Sequence, residues 1–429
     1  MTAGRAPGGY PVPVTDPDGL VARYVRLGLR LDRVVPGLVD AHLGDPGVAR
    51  AVADEPAPDP AALGREAVAL RRALAGAGLD PGRAAFLDAQ LGALEVVAAR
   101  AGGRGVSLVD EVEACLGVRI APGDPDRYRE AHRVLDDLLP GRGALADRVG
   151  AFRMRDRVPP DRLGPAVRAL AAALRTTTAA AIGLPDGERV DLEVVGSAPW
   201  SGFSRRVGPR HSRVAVNADV PQRAAQLPLL VAHEAYPGHH TDAARTEAAL
   251  AAGRAAPERA LLLARTPQSL LAEGAAELGL AALVGPGWGP WSADVLAPVL
   301  GDGAQRSSTP GVDGALAEAV ETAMESLAEV RQDAALLLHG ARAGDTADRA
   351  VAHLRRWLLV DESRARRMLD FVGHPRWRIH TTTYVEGVRL LRPWLAARPP
   401  GQPTATRYAR LLDEPWTPAA LRADVALVP

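Results

Sequence analysis

Eight residues of this 429-residue chain, His233 to His240, read His-Glu-Ala-Tyr-Pro-Gly-His-His and hold three of its ten histidines. An apolar run (Leu227, Leu229, Leu230, Val231) precedes them, and a stretch rich in helix formers, Ala243 to Ala252, follows. The eight residues therefore lie on a helix, or on two helices that meet at Pro237-Gly238. Neutral imidazole is the commonest protein metal ligand, so the cluster invites a metal reading. On a regular helix, however, His233 and His240 would lie about 10 Å apart along the axis, at ~1.5 Å per residue. Metal–nitrogen bonds of about 2.0–2.1 Å do not span that gap. Pro237 changes the geometry, because it has no N–H to give to the carbonyl of His233. Gly238 then opens backbone angles closed to other residues. Measured against the zinc motif HExxH, two extra residues can fold His239 back beside His233, with Glu234 in the place of the general base. The alternative is a helix end carrying solvated histidines.

A His pair lacks a third ligand. Leu261 to Leu283 reads as a second strong helix, with Glu273 and Glu277 one turn apart on one face. Their neighbours are nearly all apolar, and an unpaired acid is costly to bury. A salt bridge or a solvent-facing stripe is the usual explanation. Beside an incomplete histidine pair, Glu273 is the expected third ligand.

Composition removes several function classes. Charge balances at 51 basic against 51 acidic residues, which argues against a general nucleic-acid or membrane binder. Every basic residue is Arg, so Schiff-base chemistry and a Walker P-loop are excluded. Cys115 is the only cysteine, so there is no intramolecular disulfide and no CxxC zinc site; it reads as inert. No GxSxG elbow appears. No basic stretch followed by an apolar run begins the chain, and no span of about 20 apolar residues occurs. The expectation is a soluble, cytoplasmic protein with no nucleic-acid and no membrane partner; the oligomeric state is unspecified.

The expected architecture is mainly α, a large helical fold with a small antiparallel β-sheet beside a central cleft. Residues 1–18 read as a loose arm, 19–185 as a helical region, 186–396 as the metal-site region and 397–429 as a tail acting as a lid or packing arm. A helix is expected over Leu20–Leu43 with a kink at Pro36. Asp59-Pro60 and Asp80-Pro81 read as helix starts. His42 and His132 read as ordinary helix residues. Strand signal lies between Arg189 and Val220, where Val190–Val195 and His211–Asn217 alternate. Asn217, the only asparagine, suits a turn or a hydrogen bond to substrate backbone. Arg205, Arg206, Arg210 and Arg213 form a solvated face or read a substrate carboxylate. An edge strand beside a metal cleft can bind an extended peptide. Gly285 to Pro310 reads as loop, with helices resuming at Gly314.

Three segments together carry a resemblance: HEAYPGHH, then Ala272-Glu273-Gly274-Ala275-Ala276, then Thr383-Tyr384-Val385-Glu386-Gly387. They resemble an uncharacterised bacterial family catalogued as domain of unknown function eight-eight-five. That family looks like a branch of the helical gluzincin metallopeptidases, beside the thimet and neurolysin oligopeptidases and carboxypeptidase Taq. The resemblance runs from about Trp200 to Gly387. Aligning Gly238-His239 with the Gly-His of the thimet-type motif favours His239 over His240 as the second ligand. It implies zinc on His233, His239 and Glu273, Glu234 as base and Tyr384 as donor to the oxyanion. His240, His339 and His380 are candidates for a share of that last task, and Glu277 for holding a histidine N–H. Where the family has a Trp this chain has Ala275, and Arg378-Ile379-His380 replaces its Pro-Gly-Gln. The implied function is a zinc-dependent metallopeptidase acting on short peptides. The alternatives are a metal-dependent amidase or esterase on a small metabolite, and a degenerate metal- or peptide-binding protein.

Overall fold

The structure is a computed structural model that describes residues 16–197, 200–301, 313–340 and 346–426. Most of the arm expected at 1–18 and part of the loop expected before Pro310 lie outside the described residues. The chain is mainly α-helical, with two small sheets. Many helices begin the way Asp59-Pro60 and Asp80-Pro81 suggest. Asp16, Asp45, Asp59, Asp80 and Asp124 each precede a proline, and each carboxylate accepts hydrogen bonds from backbone N–H groups two or three residues on. Aspartate satisfies the free N–H groups of the first turn, and proline supplies a preset φ where no N–H is needed.

Two expected helices are shorter than their apolar spacing suggests. The first runs only over Pro17–Asp32. Pro36-Gly37 then turns the chain, Asp32 Oδ1 accepts from the N–H groups of Gly37 and Val39 (both 2.9 Å), and Val39–His42 becomes a strand, β1. The expected helix over Leu261–Leu283 starts only at Pro267, capped by Thr266. The second sheet, β2 (Arg189–Val195), β3 (Gly202–Gly208) and β4 (His211–Asn217), lies between. Leu261–Leu263 forms β5, which pairs antiparallel with β1. The unbroken apolar run from Ala260 to Ala264 satisfies either period, so tertiary pairing decides. The three-stranded sheet has the order β2-β4-β3. It is mixed rather than purely antiparallel: β3 pairs antiparallel with β4, but β2 runs parallel to it. β3 takes the far edge beside β4, leaving the other edge of β4 to β2. Trp288–Leu300 is a helix rather than loop, because its prolines fall in the first and last turns.

One core joins the N-terminal helices to the site elements. Tyr24, Leu70, Leu87 and Leu91 share it with Leu261, Leu263, Leu270 and Ile379. Helices Pro267–Leu283 and His380–Ala396 cross tightly. A Cβ on Gly274 would lie 2.6 Å from the carbonyl carbon of Gly387, and one on Gly387 would lie 2.6 Å from the Leu270 carbonyl oxygen. The glycines beside Glu273 and Tyr384 are thus what lets those two helices touch backbone to backbone. The tail forms helices Thr404–Asp413 and Pro418–Ala426. Its buried Tyr408 hydroxyl donates to the carbonyls of Ala275 (3.0 Å) and Pro237 (3.3 Å), which places it as packing behind the motif. No single described helix is long and apolar enough to cross a membrane.

Candidate metal centre

Helix Leu227–Glu234 stops at the glutamate, and a new helix, His239–Ala251, begins at the second histidine. The break is the Pro-Gly pair. The Gly238 N–H donates to the Ala232 carbonyl at 2.9 Å, and a Cβ on Gly238 would lie 1.9 Å from the His233 carbonyl oxygen. Only glycine fits so close an approach. The result turns His239 back on His233, with Nε2 atoms 3.1 Å apart. Helix Pro267–Leu283 brings Glu273 Oε2 to 3.3 Å from His233 Nε2 and 3.6 Å from His239 Nε2.

These separations have a simple meaning. Tetrahedral bonds of about 2.0–2.1 Å place ligand atoms about 3.3–3.4 Å from one another. The three donor atoms sit around a common point at that spacing. They are the one group of three such side chains found to converge among the described residues. Glu273 Oε2 is buried and has no hydrogen-bond partner, as expected of an atom meant for a cation rather than for a donor. The donor set therefore fits a divalent metal ion of the zinc type. Between His239 and His240, the geometry selects His239.

The surrounding groups hold this arrangement. Glu277 Oε1 lies 3.3 Å from His233 Nδ1, fixing the ring from behind. Burial pushes the Glu273 carboxyl up in pKa, but His239 and His233 outweigh it and hold it well below the carboxylate range. Glu234 differs. It is buried, and burial pushes its carboxyl upward despite the imidazoles of His233 and His239. A carboxyl raised in this way holds a proton more readily than an exposed one, which suits a group that takes up and releases a proton. Edge strand β3 lies against it, and the Ser204 backbone hydrogen-bonds it. Tyr384 stands across the site, its ring centroid 6.0 Å from that of His233. Burial and the charge of Glu273 raise its hydroxyl well above the usual range, so it stays a neutral donor. His380 Nε2 is 2.9 Å from the Tyr384 hydroxyl.

His240 is not among these groups. It is buried, with Nδ1 2.8 Å from Ser212 Oγ and Nε2 2.9 Å from Glu188 Oε2. Both nitrogens are engaged, so its place is in a supporting network and not over the metal centre. His339 is likewise occupied, by the Val372 carbonyl at 3.2 Å. Asn217 serves the local turn: its side chain donates to the Trp200 carbonyl and accepts from Asp219 N–H, both at 3.0 Å. Of the arginine group, Arg206 pairs with Glu247 at 2.5 Å and Arg213 approaches Glu193 at 3.8 Å.

Two carboxylates at this centre had no clear sequence signal. Glu188, in a turn before β2, accepts from Tyr236 (2.6 Å), His240 and Arg175 (2.6 Å). Asp40 lies on β1, and its charge acts on His239, Glu273 and His380. Period alone assigns its strand to helix.

No protein-family model matches the chain. No curated protein matches it in sequence. The resemblance drawn above therefore stays with the motif residues that carry it. Among solved structures the chain is similar to a provisionally assigned lipoprotein from Colwellia psychrerythraea. The identity is 15%, the TM-score 0.52, and the match covers 89% of this chain and 69% of that one. This likeness shows the fold. An M32 carboxypeptidase from Deinococcus radiodurans R1 also matches, at 15% identity and TM-score 0.38, over 95% of this chain and 94% of that one.

Proposed function

We propose that this protein is a zinc-dependent hydrolase that cleaves amide bonds in short peptides. The observation that carries the reading is the convergence of His233 Nε2, His239 Nε2 and Glu273 Oε2 to 3.1–3.6 Å of one another, with Glu234 beside them. The likeness of the three motif segments to helical gluzincins supports it further. Bound to these residues, a zinc ion supplies Lewis acidity toward a carbonyl oxygen and makes water acidic near neutral pH.

The chain's own residues do the rest. Glu234, enclosed and raised in pKa, accepts the proton of the attacking water and hands it to the leaving amine. Tyr384 donates a hydrogen bond to the carbonyl oxygen as negative charge grows there. His380 fixes the direction of that hydroxyl. Glu277 holds the His233 ring.

The test is metal content by plasma mass spectrometry on protein purified without a histidine tag or chelator, followed by assay on peptides and acyl amides. The expected result is about one zinc per chain, lost in His233→Ala, with hydrolysis of peptides. Wild-type protein without metal after zinc is added back would overturn the reading.

A further inference from the structure

One carboxylate at the centre serves no histidine. Asp40 lies on β1 where the ladder to β5 slips between Val39 and Ala41. A bulge of this kind redirects a side chain, and bulges gather beside functional sites. The strand is firmly held: Ala264 N–H bonds to the Leu38 carbonyl at 2.8 Å and Leu43 N–H to the Ala260 carbonyl at 2.7 Å. Asp40 is exposed to solvent, and among the described residues its carboxyl has no hydrogen bond and no ion pair. It is nevertheless not a remote surface acid. It reaches water from within crowded surroundings that push its carboxyl upward, and it interacts electrostatically with His239, Glu273, His380 and Arg376.

Two of those four belong to the triad. Arg376 is the obvious competitor for Asp40. Its guanidinium instead lies 4.7 Å over the Trp377 ring and against Gly37, outside ion-pair distance of Asp40. Glu273, Glu277 and Glu234 are committed to histidines or backbone. Asp40 is the acid left over, carried by a hydrogen-bonded strand and within electrostatic reach of a centre that a bound metal would make electropositive.

We propose that Asp40 binds the ammonium group of the substrate, so that the centre takes peptides carrying a free amine beside the bond to be cut. The amine is a free amino terminus or a lysine-type side chain. Without Asp40, a primary ammonium would meet imidazoles, Arg376 and carboxylates already engaged at the triad. This inference rests on the hydrolase reading for its purpose but not for its test.

The test is calorimetric binding to full-length, zinc-loaded protein carrying Glu234→Gln, which blocks turnover. The probes are tetra-alanine amide, its N-acetyl form, and N-acetyl-Lys-Ala-Ala-Ala amide. The amides remove the carboxylate that Arg376 could bind. Tetra-alanine amide or the lysine probe should bind at least about tenfold tighter than the acetylated alanine peptide, the scale of one charge-assisted hydrogen bond. Which of the two does so tells the amino terminus from the side chain. Adding Asp40→Asn should erase that preference and leave the acetylated alanine peptide unchanged, while Asp40→Glu should keep part of it. Equal binding of all three, no binding of any, or a preference that survives Asp40→Asn overturns the role of Asp40. Discrimination by a protein that hydrolyses nothing when Glu234 is intact sinks the hydrolase reading instead.

Discussion

Glu234 and Glu273 are the same residue type, both deeply enclosed, and the surroundings send them opposite ways. Glu273 faces two imidazoles and stays ionised. Glu234 points past them, and burial prevails. A ligand must be charged, and a proton carrier must change charge easily, so each environment matches one role. Replacing Glu234 by Gln should keep zinc at wild-type stoichiometry and lower kcat by about 10²–10⁴-fold, the usual contribution of a positioned acid–base group. Metal analysis and a peptide assay on the same preparation check both halves, and a fully active variant would remove Glu234 as the base. At this scale much was legible. Three histidines, one glutamate and a helix break coincide within His233–His240. Glu273 was singled out only because the histidine pair lacked a third ligand, since an acid in an apolar helix by itself reads as a salt bridge or a solvent-facing stripe. Asp40 and Glu188 were not legible, because single acids in a short strand and a turn look like any solvated group.

At the scale of elements, the centre depends on two devices. One is the helix crossing at Gly274 and Gly387, which sets Glu273 and Tyr384 on facing helices. Alanine normally favours a helix over glycine by about 1 kcal/mol. At Gly274 that gain should lose to overpacking of about 1–3 kcal/mol, because the obstruction is backbone at 2.6 Å and not a mobile side-chain end. Gly274→Ala should therefore lower the Tm. Gly150→Ala, in helix Leu145–Arg155 with nothing within 4 Å of its Cβ position, should raise it. Equal shifts of the same sign would show that the crossing is looser than described. The motif glycines were visible in the sequence, but their purpose was not, since a crossing joins helices more than a hundred residues apart.

The second device is the network on Glu188. Burial raises its pKa, but hydrogen bonds from His240, Tyr236 and Arg175 prevail and hold it at about 2. Tyr236 and His240 flank Pro237-Gly238-His239, so this one carboxylate anchors the insertion on both sides. A depressed carboxyl stabilises the fold above its unfolded value of about 4.3, and that contribution fades as pH falls toward the folded value. Metal-free wild type should therefore exceed Glu188→Gln in stability at pH 7, and the gap should narrow at pH 3.5. Urea unfolding at the two pH values measures it. A constant gap would mean that folding leaves the Glu188 pKa unshifted.

At the scale of the whole molecule, the sequence suggested a helical region over 19–185 followed by a metal-site region over 186–396. Helix content was legible from apolar spacing and Asp-Pro starts. The pairing of β1 with β5, more than two hundred residues apart, was not, because no local pattern records a distant partner. That pairing matters for how the molecule comes apart. Leu261 and Leu263 lie in the same core as Tyr24 and Leu70, and β1 carries Asp40 to the metal centre. Neither region closes its core alone. The chain offers a direct check, because all seven tryptophans lie at or after Trp200. Fluorescence therefore reports the second region, while helical circular dichroism reports both. If the shared core makes the regions one cooperative unit, urea transitions followed by the two signals should coincide. An ellipticity change that runs ahead of fluorescence would show residues 19–185 melting by themselves. In that case the β1–β5 junction would be a docking contact between separable units, and Asp40 would reach the centre only when they are docked.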